Sequence, residues 1–358
     1  CFRAKKEVGI MVHSALRRAA VLLCLVPALL LTACGGETLS SEPMATAAVE
    51  TSPAPTPTAS AETDSAVAGA SDGEQSLLLD NGRSGLPATV CIPSDGQDWP
   101  LVVFCHGFTS NREGDGHFGP LARQLADVGI ASIRIDFAGC GDSTEDQTGY
   151  TLQNMIADVD CSIQYMASTF GIDTSEIALV GHSMGGRLAS LYLKEGEYPV
   201  QAAALWSPAN GDGLTGLEFL NIDAPWQIDQ MAADAAANGS VYSDVFHFTV
   251  SSTLFDEMST THPNEILAEF EGPLLLCYSG NESILSEETR QQTIAAVQQH
   301  PDNWIKLRVF ETANHNYLAA DGNAAESNRL DNKLRRVTLA FLQESLQEVP
   351  VSTAETAE

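Results

Sequence analysis

From about Ser76 onward, short apolar runs alternate with longer stretches whose apolar residues recur every three or four positions. Residues 77–79, 88–92, 101–105, 130–136, 177–180, 202–205, 274–278 and 305–310 read as strands. Several are apolar at successive positions, the pattern of strands covered on both faces. Residues 118–128, 152–170, 184–194, 287–299 and 330–346 read as helices. This alternation predicts an α/β chain with a doubly wound, mainly parallel sheet, and a ligand site among the loops at the carboxyl ends of its strands. One interval breaks the rhythm. Residues 208–271, mixed in character and lying between two core strands, are expected to form a cap over that site. The main domain is then 76–347, followed by a disordered tail at 348–358.

The N-terminal part reads differently. From Met11 the chain runs through Arg17 and Arg18 into an apolar stretch at 19–31. A basic segment followed by an apolar run too short to span a bilayer fits a signal peptide starting at Met11. The stretch ends Leu31-Thr32-Ala33-Cys34-Gly35, which resembles the bacterial lipobox. The resemblance implies removal of residues 1–33 and attachment of lipid to Cys34; the alternative is an ordinary signal peptide with an incidental cysteine. Residues 34–75 are rich in Ser, Thr, Ala, Pro and Glu, with no apolar side chain larger than Val after Met44. They are expected to form a disordered tether. The expected location is therefore extracytoplasmic, on a lipid anchor, or secreted if Cys34 is unmodified.

Charge narrows the partners. The net charge is −29, from 18 basic and 47 acidic residues. Arg3, Lys5, Lys6, Arg17 and Arg18 precede Cys34 against the single acid Glu7, so the remainder carries −33. Such a surface repels nucleic acid and anionic membrane faces and keeps an exported protein soluble. The cysteines after Cys34 are Cys91, Cys105, Cys140, Cys161 and Cys277, an odd count that leaves at least one thiol free or paired between chains. No Cys-x-x-Cys or His/Cys cluster suggests a metal.

The chemistry concentrates in Ile177-Ala178-Leu179-Val180-Gly181-His182-Ser183-Met184-Gly185-Gly186, an apolar strand running through Gly-x-Ser-x-Gly into a helix. This is a nucleophile elbow: the serine hydroxyl protrudes from a strained turn, and the flanking glycines let strand and helix approach. Val102-Val103-Phe104-Cys105-His106-Gly107-Phe108 supplies a second strand end. The backbone N–H groups of Phe108 and Met184 are expected to form an oxyanion hole, each donor typically worth about 3 kcal/mol of barrier. The run Asp136-Phe137-Ala138-Gly139-Cys140-Gly141-Asp142-Ser143 reads as a scaffold loop, since no lysine follows to hold a phosphate.

Of the eight histidines, only His315 lies just after a strand and after the nucleophile. It is expected to act as the base, and His106 to be structural. The acid should follow the strand at 274–278, where Glu282 stands; Asp256 is the alternative.

Taken together, His106-Gly107-Phe108-Thr109, Asp136-x-x-Gly139-x-Gly141-x-Ser143, Gly181-His182-Ser183-Met184-Gly185-Gly186 and the late His315 resemble the bacterial cinnamoyl (feruloyl) esterases of the α/β-hydrolase superfamily. The resemblance covers roughly 76–347. It implies a carboxylic-ester hydrolase that uses no cofactor and takes a small-molecule ester. It also implies a substrate-binding acid early in the cap, matched by Asp212, beside contributions from His106 and Gly107. The family's cap tyrosine has no counterpart near Leu254, although Tyr242 could stand in, and Glu282 replaces the family's Asp. Trp226, Phe246, Phe248, Leu254 and Phe255 suggest an apolar acyl pocket.

Two rivals share these residues. One is a serine peptidase, which needs paired acids such as Asp223, Asp229, Asp234 or Asp244 for a substrate amine. The other is a non-catalytic binding lipoprotein on the same scaffold, for which an intact Ser183, His315 and oxyanion motif would be superfluous. Oligomeric state is not legible in the sequence.

Overall fold

The computed structural model describes residues 73–221, 223–299 and 305–347. The expected signal peptide, Cys34, most of the tether and the tail lie outside the described residues.

Among the described residues there are ten strands: β1 (Glu74–Leu79), β2 (Leu86–Cys91), β3 (Leu101–Cys105), β4 (Ala131–Ile135), β5 (Ile177–His182), β6 (Ala202–Trp206), β7 (Ser240–Ser243), β8 (Phe248–Ser251), β9 (Leu274–Ser279) and β10 (Ile305–Phe310). Eight of them form one sheet in the order β1-β2-β4-β3-β5-β6-β9-β10, while β7 and β8 pair as a separate hairpin. Only β2 runs against its neighbours; every pairing from β4 to β10 is parallel. Eight helices accompany them: α1 (Phe118–Ala126), α2 (Leu152–Phe170), α3 (Met184–Glu195), α4 (Ile228–Asn238), α5 (Ser252–Ser259), α6 (Pro263–Glu269), α7 (Glu287–Val297) and α8 (Ala324–Leu346).

Neighbouring strand residues serve opposite faces. Leu101, Val103, Cys105, Ile177 and Leu179 join the core beneath α2 and α3, whereas Val102, Phe104, Ala178 and Val180 join the core beneath α1 and α8. Burial on both faces is why these strands read as continuous apolar runs.

Helix ends follow local chemistry. The Thr151 side chain accepts from the Asn154 N–H at the start of α2, and Gly171 closes that helix at φ 65°. Helix α8 begins six residues earlier than its apolar pattern suggests. Asn323 caps it by accepting from the Glu326 N–H, and the first turns are polar.

Between β6 and β9 the irregular interval contains a 3-10 helix at Gly213–Asn221, α4, the β7–β8 hairpin, α5 and α6. Arg187, buried in α3, holds both ends of this insert. Its Nη1 donates to the carbonyls of Ala209 (3.1 Å) and Gly211 (2.6 Å), and its Nη2 donates to Thr261 Oγ1 (2.5 Å). The crevice where β3 and β5 lie side by side opens beneath the insert, and both site motifs end there.

Candidate active site

Ser183 sits at the end of β5 with φ 55° and ψ −117°, a backbone state that side chains rarely adopt. The turn exists because its flanking glycines allow it. A Cβ on Gly181 would fall 2.2 Å from the Gly185 carbonyl oxygen, and one on Gly185 would fall 2.0 Å from that of Cys105. Strand β5, helix α3 and the end of β3 therefore meet at backbone contact distance, and only glycine fits. Met184 is the first residue of α3, so its N–H has no intrahelical acceptor. Phe108 lies just beyond β3, and its N–H meets no acceptor among the described residues.

A cavity of about 210 Å³ opens here, with Ser183, His315, Gly107 and Phe108 in its wall. His315 lies five residues past β10, in a tight loop closed by a bridge between Ala313 and Ala319. Glu282, three residues past β9, accepts the His315 Nδ1 proton at 2.9 Å from each carboxylate oxygen. The carboxylate is itself held by the Ile284 N–H (2.8 Å), the Leu285 N–H (3.2 Å) and the Ser279 hydroxyl (2.8 Å). Burial alone would raise its pKa, but His315 and these donors bring it down to about 2. With Nδ1–H committed to Glu282, the neutral ring carries its lone pair on Nε2. No hydrogen bond joins Ser183 Oγ to His315 among the described residues; such contacts commonly tighten when substrate binds. Asp256 is exposed on α5 and does not line the cavity.

Two expected substrate contacts are not in the cavity wall. Asp212 is an exposed residue whose carboxylate lies 2.6 Å from His262 Nδ1. It turns outward because the Arg187 clamp draws in the carbonyls around it rather than its side chain. His106 is fully buried. Its Nδ1–H donates to the Gly107 carbonyl (2.7 Å) and its Nε2 accepts from the Phe137 N–H (3.1 Å), so neither nitrogen can meet substrate. Burial lowers its pKa to about 4 and keeps it neutral.

Of the aromatic residues expected in the acyl pocket, only Phe246 lines the cavity. Phe248, Leu254 and Phe255 fill the core, while Trp226 and Tyr242 are exposed. The residues that sequence reasoning missed are Phe219, Ile284, Asn316, Ser110 and Asp115. The Gly-Asp-Gly run at 114–116 was the only available hint for the last of these. His182 lines the same cavity and donates from Nε2 to the His315 carbonyl at 3.1 Å.

Residues 97–222 match the family described as Hydrolase_4, serine aminopeptidase, S33. Human protein ABHD12B is 30% identical over 123 residues, which are 34% of this chain and 32% of that protein. An uncharacterized 31.7 kDa protein of Escherichia coli is 28% identical over 102 residues, 35% of its length. The chain thus spans about a third of each curated relative it matches. Among solved structures, Est1E from Butyrivibrio proteoclasticus with ferulic acid bound superposes with a TM-score of 0.58 at 16% identity, covering 75% of this chain and 100% of that one. The Pyrococcus furiosus esterase Pf2001 gives 0.52 at 15% identity, covering 76% and 91%. Sheet order, elbow and neighbours agree: this chain has the α/β-hydrolase fold, which it shares with Est1E and Pf2001.

Proposed function

We propose that this chain is a carboxylic-ester hydrolase working through an acyl-enzyme on Ser183, with cinnamoyl or similar small acyl esters as substrates and no cofactor. The observation that supports this best is the His315–Glu282 pair. Both carboxylate oxygens lie 2.9 Å from Nδ1 of His315, which lines the cavity that also holds Ser183.

The chemistry follows from these groups. Ser183 Oγ attacks the ester carbonyl carbon while His315 Nε2 takes its proton. The carbonyl oxygen becomes an oxyanion, and the N–H groups of Phe108 and Met184 receive it. As the tetrahedral state collapses, the carbon–oxygen bond to the alcohol breaks and His315 gives that alcohol its proton. Water then repeats the sequence: His315 removes its proton, hydroxide adds to the acyl carbon, and the acid leaves as Ser183 recovers the proton. Glu282 stays ionised throughout and steadies the imidazolium.

The apolar wall formed by Phe219 and Phe246 suits an aromatic or short aliphatic acyl chain. Asp223, Asp229, Asp234 and Asp244, which an aminopeptidase would draw on for a substrate amine, do not line the cavity. That favours the ester. The sequence around Cys34 further supports an extracytoplasmic, lipid-anchored enzyme, which detergent phase partition of wild type and Cys34→Ser would test.

The direct test is hydrolysis of methyl ferulate and p-nitrophenyl butyrate by the chain and by Ser183→Ala. Cleavage of both esters, lost in the variant, upholds the whole reading. Cleavage of the butyrate alone retains the mechanism and removes the cinnamoyl assignment. Cleavage of neither, with no labelling of Ser183 by an activated-serine probe, overturns both.

A further inference from the structure

The cavity beside Ser183 has two distinct sides. On one, the rings of Phe219 and Phe246 pack on Phe108 at 5.4 and 5.3 Å between centroids, next to the backbone donor expected to take the carbonyl oxygen. On the other, His182 stacks against His315 at 5.0 Å, and Asp115 lies beside His182. His315 must hand its proton to the departing alcohol. The alcohol portion of an ester therefore occupies the second side.

That side presents acceptors that no group among the described residues satisfies. His182 Nε2 faces the His315 carbonyl, an acceptor only, so Nε2 carries the hydrogen. Burial first, and His315 second, lower the His182 pKa to about 3, so the ring is neutral and Nδ1 is a bare lone pair. Asp115 Oδ2 lies 4.0 Å from that nitrogen, too far for a shared proton and within reach of one donor group placed between them. Among the described residues, no N–H or O–H donates to the Asp115 carboxylate. It nevertheless lines the cavity, with its side chain about two-thirds shielded from solvent (31% exposed). Asp115 also holds a φ of 56°, a backbone state that Asp and Asn tolerate better than most residues.

We propose that Asp115, together with His182 Nδ1, is the specificity site for the leaving alcohol, and that it selects esters whose alcohol carries a hydrogen-bond donor. The donor chemistry has two sources, the free hydroxyls of a polyol or the N–H of an ammonium. Asn316, next to His315 in the same wall, adds an amide able to donate and accept. The inference rests on the ester-hydrolase reading and assigns its alcohol side.

Three butyrates of comparable size test it: ethyl butyrate, glycerol 1-monobutyrate and 2-(dimethylamino)ethyl butyrate, with wild type, Asp115→Asn and Asp115→Ala. The expected result is a KM for a donor-bearing ester raised about tenfold in Asp115→Ala, and less in Asp115→Asn. The kcat for that ester, and both constants for ethyl butyrate, should stay within about twofold. Ethyl butyrate turnover reports in each variant that the site is folded. An effect confined to the glycerol ester identifies hydroxyls as the ligand, and one confined to the amino ester identifies ammonium; either upholds the proposal. An equal loss on all three esters would mean that Asp115 acts on His315 rather than on substrate, and overturns it. So does the absence of any effect. If wild type cleaves none of the three, the ester-hydrolase reading itself falls, an outcome distinct from the others.

Discussion

The ring of Phe108 packs against that of Phe248 with centroids 4.9 Å apart. In the proposed mechanism one residue thus offers its backbone N–H to the reacting carbonyl and its side chain to the insert. Tyr150 and the cavity residues Phe219 and Phe246 complete the cluster around it. Phe248→Ala is expected to destabilise the fold by about 3 kcal/mol and, by loosening Phe108, to lower kcat by roughly tenfold or more. Denaturant melts and steady-state kinetics on p-nitrophenyl butyrate check the two effects separately. Loss of stability with kcat intact would show that the insert does not position the oxyanion donor.

Glu282 accepts from His315 Nδ1 and from two backbone N–H groups, so its replacement should act on chemistry rather than binding. Glu282→Gln is expected to lower kcat by about 10³–10⁴ with little change in KM, because an amide favours the wrong imidazole tautomer. Glu282→Asp, with a shorter arm, should fall between. Retention of more than a tenth of wild-type kcat in Glu282→Gln would remove Glu282 from the triad.

Acid sensitivity should set in well above the carboxylate range. His106 and His182 are buried and neutral, with pKa values lowered to about 4 and about 3. In the unfolded chain both return to about 6.5, so below that pH the unfolded state binds more protons and stability is lost as pH falls. From pH 6.5 to 5 each contributes a loss of about 1.6 kcal/mol, since half of the unfolded-state protonation is already present at pH 6.5. Asp158, raised to about 6 by burial, takes up its proton in the folded state first and offsets about 1 kcal/mol. Glu282 and Asp331, lowered to about 2, lose their contribution only below the ordinary carboxylate pKa and are silent in this window. Urea titrations at pH 6.5 and 5 should show a net loss of about 2 kcal/mol. An unchanged unfolding free energy would contradict the neutral histidines.

Gly185→Ala should fail to assemble the elbow, since its Cβ would fall on the Cys105 carbonyl at the end of β3. Arg187→Ala leaves the carbonyls of Ala209 and Gly211 without their donor and should cost about 3 kcal/mol or more. Arg187→Lys, which can still reach one carbonyl, should recover part of that. Equal stability of Arg187→Ala and wild type would refute the clamp.

The parts of the site that could be read in the sequence are those fixed by backbone geometry. A strand, Gly-x-Ser-x-Gly and a helix leave one place for Ser183, and the ends of β9 and β10 leave few for Glu282 and His315. Side chains arriving from the insert followed no such rule. Phe219 and Phe246 sit in a 3-10 helix and a hairpin turn without periodicity, while the more conspicuous Trp226 is 74% exposed. Asp212 was drawn from a family position, but here its carboxylate meets His262 at the surface. Asp115 lies in a Gly-Asp-Gly loop whose polarity reads as solvent-facing; the residue is exposed and lines the cavity as well.

The φ of 55° at Ser183 has a consequence for anyone who would improve this protein. Glycine adopts that angle freely, whereas a side chain there carries about 1–2 kcal/mol of strain. A library selected for heat resistance alone would therefore enrich Ser183→Gly, recovering a hardier protein that lacks the proposed nucleophile. Any directed evolution of this scaffold has to screen for turnover in every round, because at this position durability and reactivity reward opposite residues.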